Sequence, residues 1–136
     1  MNPEIIHGVY HVDIVKIPLQ IDNTFNGFNI LTNKQLIKIL IDDYNLLYEK
    51  SGILMFKSEN IQNLIGLTIL SISYGTEIDE RLVPMPDISL NTHPHIIINI
   101  ETDKGLIQIV IYNKHDGSCP HHAYIEWDNE FKYQIL

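Results

Sequence analysis

Cysteine and arginine are nearly absent from this sequence, which contains only Cys119 and Arg81. A single cysteine cannot form an intramolecular disulfide, so a small secreted disulfide scaffold is excluded and a reducing compartment is expected. The chain has nine basic residues against 17 acidic ones, a net charge of -8. It therefore lacks the cluster of Lys and Arg that phosphate contacts in a nucleic-acid binder require. A basic protein is the expected class of partner.

Segments that would target the chain to a membrane are also missing. The first four residues, Met1-Asn2-Pro3-Glu4, contain no basic or apolar region of the kind found in signal peptides. No apolar run approaches the ~20 residues needed to span a bilayer, and the seven glycines form no phosphate-binding loop. We therefore expect a cytoplasmic protein with no nucleotide chemistry and no membrane contact.

Isoleucine, by contrast, is abundant, with 25 residues in a chain of 136. This usage, with a single alanine, is typical of an A/T-rich genome, such as that of a bacterium or its phage. Hydrophobic residues at 45% and charged residues at 19% are globular proportions. Because the length is that of one ordinary domain, we expect a single domain over residues 1–136.

One α-helix is predicted, over about residues 33–50. Thr32 and Gln35 form a capping-box pattern, and a Ser-Gly pair supplies a stop. On this interpretation Asp42 and Asp43 lie on the solvated face of the helix. The apolar residues between cap and stop recur at helical spacing: Leu36, Ile37, Leu40, Ile41, Tyr44, Leu47 and Tyr48.

Strand patterns account for much of the remaining chain. They cover residues 5–21, as one long strand or two short ones, and residues 53–57, 67–74, 95–112 and 123–135, of which the last two are hairpins. A turn or single helical turn is expected at residues 58–64. The sum is an α+β domain, a mostly antiparallel sheet of six or seven strands with the one main helix packed on it.

The hairpin at residues 95–112 has the most specific pattern. Isoleucines alternate along both arms, and they share one face only in a single register. That register leaves residues 102–105 as the loop, in which Gly105 can adopt a positive φ, and it places His95 opposite Tyr112. The isoleucine pairs it predicts are Ile96 with Ile111, Ile98 with Ile109 and Ile100 with Ile107.

Histidines concentrate in one part of the chain, close to Cys119. Imidazole and thiolate are preferred zinc ligands, so a transition-metal site or a metal-dependent hydrolase is one hypothesis. The spacing contains no Cys-x-x-Cys or His-Glu-x-x-His motif, and hydrogen-bonded or solvated histidines at a sheet rim are the other interpretation. The candidate ligands are His93, His95, His115, His121 and His122.

The same segment allows a hydrolytic interpretation. Cys119 would be the nucleophile, His121 or His122 the base, and Asp116 the residue that orients the base. Side chains this close along a loop tend to point apart, and Pro120 stiffens the segment. We therefore assign no catalytic residue and expect Cys119 to be a small packed side chain.

A long irregular connection at residues 75–94 contains three prolines and four acids. Connections of this length within a compact domain are usually functional or mobile. With acids near other strand ends, it would form a docking surface at which charge complementarity raises the association rate, although a merely solvated acidic surface is the alternative. The candidate contacts are Glu77, Asp79, Glu80, Asp87, Asp116, Glu126, Asp128 and Glu130.

Residues 102–127 resemble a pattern in small uncharacterised bacterial and phage proteins. In those proteins a hairpin is followed by His-Asn-Gly and then by a later histidine. The corresponding residues here are Thr102-Asp103-Lys104-Gly105, then His115-Asp116-Gly117 with aspartate in place of asparagine, then His121 or His122. The resemblance implies a small α+β protein and no particular activity.

In its acidic, compact character the chain is also similar to immunity proteins of contact-dependent inhibition systems, which neutralise a toxin domain by binding it. The leading hypothesis is therefore a non-enzymatic binding protein, an immunity protein that occludes a basic toxin domain without a cofactor. The alternative is a histidine-rich metal protein, with zinc as the expected metal. A third hypothesis, a phage-encoded inhibitor of a host defence enzyme, differs from the first only in its partner.

Overall fold

The computed structural model describes residues 2–15, 25–42, 50–55, 61–79, 95–114 and 121–136. These residues form a short 3-10 helix (Ile61–Leu64) and nine strands, which join in one antiparallel sheet of order β4-β7-β6-β5-β1-β2-β3-β8-β9. The strands are β1 (Glu4–Val15), β2 (Phe25–Thr32), β3 (Leu36–Asp42), β4 (Lys50–Met55), β5 (Thr68–Gly75), β6 (His95–Thr102), β7 (Gly105–Lys114), β8 (His122–Trp127) and β9 (Glu130–Ile135).

The predicted helix at residues 33–50 is wrong. Most of its first half is strand β3, hydrogen-bonded to β2 and β8, and its last residue, Lys50, begins strand β4. Ile37, Ile39 and Ile41 face the main core while Leu40 is buried on the opposite face. A strand buried on both faces needs no alternation of apolar and polar residues, so its pattern can imitate a helical repeat. The described residues contain no α-helix, and the fold is antiparallel β rather than α+β; residues 43–49 lie outside them.

The capping-box pattern that suggested a helix start belongs to a β-turn. The Thr32 hydroxyl accepts hydrogen bonds from the backbone N–H groups of Lys34 and Gln35, both at 3.0 Å. These are the contacts that a helix N-cap would make. A threonine satisfies the donors of a tight turn in the same way. The Thr32 and Gln35 pattern is therefore compatible with the turn between β2 and β3 as well as with a helix start.

Both predicted hairpins are present. In β6–β7 the pairs are Ile96 with Ile111, Ile98 with Ile109, Ile100 with Ile107, and His95 with Tyr112, as the isoleucine alternation predicts. Thr102 pairs with Gly105, which leaves only two residues in the turn, and Gly105 has a φ of 118°.

The sheet has an approximate two-fold symmetry. If β9 is set aside, the order β4-β7-β6-β5 on one side of the centre is matched by β8-β3-β2-β1 on the other. Each half contains three consecutive strands, β1–β2–β3 or β5–β6–β7, and the fourth strand of each unit pairs with the opposite half: β4 with β7, and β8 with β3. The two halves are thus joined by exchanged strands.

Local details repeat across this pseudo-two-fold axis. Strand β1 has a register shift after Ile6, which pairs with Thr32, and β5 has the equivalent shift after Ile69, which pairs with Thr102. The residue after each of these threonines is in a turn, and its side chain accepts a hydrogen bond from a central strand. Asn33 accepts the backbone N–H of Ile5 at 2.7 Å, and Asp103 accepts that of Thr68 at 2.9 Å. Ile5 and Thr68 pair with each other at the axis.

The main core lies between the inner faces of the two halves. Isoleucines from β3 and from β6–β7 form one buried cluster, which Trp127 packs against. At the rim the Trp127 ring meets the Tyr74 ring at a centroid distance of 4.7 Å. Within the described residues, no helical segment has the length and apolar character that crossing a bilayer would require.

Candidate functional site

The beginning of the predicted binding loop is held against strand β7 by a buried glutamine, Gln108. Its side-chain Nε2 donates to the backbone carbonyl of Glu77 at 3.0 Å and to Asn99 Oδ1 at 2.9 Å. Its Oε1 accepts the backbone N–H of Asp79 at 2.7 Å. Gln108 is only 2% exposed, so losing these partners would leave a desolvated amide without hydrogen bonds. The amide therefore fixes the loop at two successive acidic residues.

These residues form a depression of about 530 Å³, which we call the loop-base shelf. Glu77 is exposed and Asp79 is half-buried. Among the described residues that line the shelf, two have carboxylates and none has a basic side chain, which favours a negative potential. It is lined by Thr76, Glu77, Ile78, Asp79, Asn99, Leu106 and Gln108. The other predicted contacts on this loop, Glu80 and Asp87, lie outside the described residues.

The predicted contacts of the final hairpin form bonds within the chain. Glu126 accepts the Tyr124 hydroxyl at 2.5 Å and lies 4.0 Å from the Lys38 ammonium. Asp128 Oδ1 accepts a hydrogen bond from Gln35 Nε2 at 3.1 Å, and the backbone N–H of Asp128 donates one to Gln35 Oε1 at 2.7 Å. Glu130 is exposed. These acids belong to the β8–β9 end of the sheet, whereas the shelf belongs to β5–β7, and Asp116 lies outside the described residues.

Tyr124 and Tyr133 lie on the outer face of β8–β9. Burial raises the pKa of the Tyr124 hydroxyl above its usual range, and the hydrogen bond to Glu126 and the charge of that carboxylate raise it further. Burial also raises the pKa of Tyr133, with a further contribution from the charge of Asp42. Both hydroxyls are therefore protonated at neutral pH.

A second polar site joins the end of β3 to the start of β8. Asp42 Oδ1 lies 2.5 Å from Nδ1 of His121, and both side chains are about 1% exposed. Asp42 Oδ2 accepts the backbone N–H of His122 at 2.9 Å. The His122 ring bonds the hydroxyl of Tyr133 through its own Nδ1. One carboxylate thus holds two successive residues of the predicted histidine cluster.

Sequence reasoning did not identify Asp42 as a partner of His121. The helical interpretation placed Asp42 in solvent, and the hydrolytic interpretation used Asp116 to orient the histidine. A strand interpretation would have put Asp42 on the same face as Leu40, pointing to burial, because side chains alternate along a strand. Cys119 lies outside the described residues.

The described histidines of the predicted metal cluster have separate surroundings. His95 lies beside Lys132 and Gln134, while His121 and His122 contact Asp42 and Tyr133. In the described part of the chain, no three His, Cys, Asp or Glu side chains are grouped as a metal ion would require. A metal site would depend on His93 and His115, which lie outside that part.

Comparison of the chain with protein-family models, with curated proteins and with solved structures finds no significant match.

Proposed function

We propose that the protein is a non-enzymatic binding protein that occludes a basic partner, most concretely a bacterial toxin domain in the cytoplasm, as an immunity protein does. The docking surface is the loop-base shelf. The observation that supports this proposal is the buried amide of Gln108, which anchors the chain at Glu77 and Asp79 through two backbone hydrogen bonds.

Anchoring matters because binding a mobile loop carries an entropic cost. A surface held in place before the encounter loses less freedom when the partner docks, so more of the interaction free energy appears as affinity. The shelf also combines local negative charge with a molecular net charge of -8. Long-range attraction would speed the approach of a basic domain, and the carboxylates carried on the anchored backbone would select its orientation.

The shelf is a better docking surface than the acidic β8–β9 end. Glu126 and Asp128 already bond Tyr124 and Gln35. A partner would have to compete with those internal bonds. The shelf holds its residues through their backbones and leaves the Glu77 carboxylate exposed.

The first test identifies the partner and its toxicity. The immobilised protein should capture from a lysate of its source organism a basic protein that arrests growth when expressed alone. Co-expression of the present chain should restore growth. Capture of a host defence enzyme would instead assign the protein to the inhibitor class, and a captured protein whose toxicity is not relieved would contradict neutralisation.

The second test replaces the shelf charges. The double variant Glu77→Lys, Asp79→Lys should associate with that partner at least ~10-fold more slowly at low salt and lose most of its salt dependence, because local attraction becomes repulsion. Stopped-flow or biolayer interferometry across a salt series measures both quantities.

A charge-matched control separates the shelf from the net charge. The single variant Glu130→Lys changes an exposed acid of β9 outside the shelf lining and is compared with the single variant Glu77→Lys. Either replacement adds two charges and moves the net charge from -8 to -6. Equal slowing in both would show that the shelf is not the docking surface. Gln108→Leu keeps both carboxylates but removes their anchor, so it should weaken affinity without abolishing the salt dependence.

A further inference from the structure

A second, smaller cleft lies between the end of β5, the start of β6 and the inner side of β9. Its volume is about 180 Å³. This is room for roughly six waters at ~30 Å³ each, and it is below the ~300 Å³ at which pockets for drug-sized ligands begin. The cleft suits a compact ligand. Its polar lining is Tyr74, Thr76, His95, Lys132 and Gln134.

Lys132 holds a defined position at this cleft. Its ammonium group lies over the Tyr74 ring, 4.3 Å from the centroid, and the same ring contacts Trp127 at a centroid distance of 4.7 Å. A cation over an aromatic face is attracted by the ring quadrupole without being neutralised. Among the described residues Lys132 forms no ion pair with a carboxylate, so its charge is available to a ligand.

The charge of the cleft is opposite to that of the molecule. None of the described residues that line it is acidic, whereas the loop-base shelf has Glu77 and Asp79. On a chain with a net charge of -8, the ammonium group is the one permanent charge among the described residues of this lining. Such a site favours an anion over a cation.

The neutral groups around Lys132 are hydrogen-bond donors. Burial raises the pKa of the Tyr74 hydroxyl to about 12, so the phenol keeps its proton at neutral pH and can donate it. The Gln134 amide and the Thr76 hydroxyl add N–H and O–H donors. Bonds from such groups to a charged oxygen are stronger than bonds between neutral partners.

We propose that this cleft, the Lys132 cleft, binds a small oxyanion, the carboxylate or phosphate group of a compact ligand. Lys132 is the counter-ion, and Tyr74 and Gln134 orient the bound oxygens. The cleft adjoins the loop-base shelf, since Thr76 lines both, but its charged group is different and its ligand has the opposite charge to the partner expected at the shelf.

The competing explanation is that Lys132 protects an edge. Strand β9 ends the sheet in the described part of the chain, and an inward-pointing charge on an edge strand discourages pairing with another molecule. That role requires a charge at position 132 but no ligand, so direct binding measurements separate the two.

The test is a titration of the full-length, ¹⁵N-labelled protein with sodium phosphate and, separately, with sodium acetate, each against sodium chloride at equal ionic strength. We expect saturable amide shifts at residues 74–76, 95–97 and 132–134 with at least one oxyanion. Trp127, the only tryptophan, should report the same event by fluorescence because it packs on Tyr74. Saturation by phosphate alone indicates a phosphoryl ligand, by acetate alone a carboxylate, and by both a general oxyanion site.

Substitutions at two lysines provide the controls. Lys132→Gln should weaken binding at least ~10-fold through loss of a charge-assisted contact, while Lys132→Arg should retain it. Lys104→Gln removes an equal charge from the exposed β6–β7 turn and should bind as the wild type does. Unsaturable shifts, shifts reproduced by chloride, or wild-type affinity in Lys132→Gln would overturn the proposal. If Lys132→Gln does not fold, the wild-type titration against chloride decides alone.

Discussion

At the scale of single residues, Asp42 organises the junction between two parts of the sheet. Its two carboxylate oxygens bond the ring of His121 and the backbone of His122, so one side chain joins the last residue of β3 to the start of β8. Burying a carboxylate is costly unless it is paired. The pairing explains how an acid at 2% exposure is compatible with a stable fold.

We predict that Asp42→Ala destabilises the protein by about 2–5 kcal/mol, because a buried imidazole and a backbone N–H both lose their hydrogen bond to the carboxylate. Lys38→Ala is the matched control on the same strand. Its ion pair with Glu126 spans 4.0 Å between half-exposed side chains, so its loss should cost less than about 1 kcal/mol. Urea unfolding monitored by circular dichroism gives both values. A similar loss in the two variants would show that the Asp42 site is not a structural junction.

At the scale of the element, turn conformation determines the last hairpin. Asp128 and Asn129 have φ values of 53° and 61°, and two central residues with positive φ form the type I′ turn that matches strand twist. Short polar side chains tolerate this region better than others do. The pairing of Trp127 with Glu130 follows directly.

We predict that Asn129→Ala destabilises the protein by about 1–2 kcal/mol through left-handed backbone strain, whereas Asn129→Gly is neutral or stabilising because glycine has no β-carbon. Thermal unfolding of the two variants measures the difference at one site. Equal midpoints would mean that residue preference does not stabilise this turn.

Strand β3 shows where pattern reading fails and why. Leu36, Ile37, Leu40 and Ile41 fit a helical stripe, but Ile39 would then lie among polar residues. In the strand, Ile39 joins Ile37 and Ile41 in the main core. Helical periodicity assumes one buried face, and here both faces are covered. The β6–β7 register succeeded because only one pairing places every alternating isoleucine on one side.

At the scale of the whole molecule, exchanged strands join the two pseudo-symmetric halves. Strand β4 completes the second half and β8 completes the first. The direct seam is short, since β1 and β5 share only the pairs Glu4 with Ile69 and Ile5 with Thr68. Exchange of strands, together with the shared isoleucine core, therefore accounts for most of the connection between the halves. The symmetry involves strand pairing and turn geometry, which different residues can produce, so no repeat is visible in the sequence.

Ionisation of tyrosine should limit stability at high pH. The pKa of Tyr74 is raised from 10.0 to about 12 in the folded state, and those of Tyr124 and Tyr133 are also raised. Below pH 10 these phenols are protonated in both states, so their contribution to stability is constant. Above pH 10 the unfolded chain loses protons that the folded chain retains, and stability falls as the pH rises through the folded pKa values.

We predict that Tyr124→Phe reduces the steepness of this alkaline loss, since it removes one of the groups responsible. Denaturant unfolding of wild type and variant over a pH series measures the slope of stability against pH. The difference between the two proteins at neutral pH gives the separate cost of losing the Tyr124–Glu126 hydrogen bond. An unchanged pH dependence would exclude Tyr124 as a contributor.

The candidate sites were only partly accessible from the sequence. Glu77 and Asp79 were expected in a binding loop because of their charge and the irregular segment around them, and the structure adds the buried Gln108 that anchors both. Neither Asp42 nor the Lys132 cleft was expected. Asp42 was assigned to a helix instead of a strand. The cleft lies between strands that are distant along the chain, and no local sequence pattern indicates that they come together.

The amino-acid sequence by itself determined the two late hairpins and the acidic, cysteine-poor character of the chain, because turn chemistry, alternation and charge act between near neighbours. Tertiary structure alone decided that residues 36–42 become a strand, that β4 and β8 exchange between halves, and that Asp42 meets His121. Those outcomes depend on which surfaces cover each other, and burial on a second face overrides local preference.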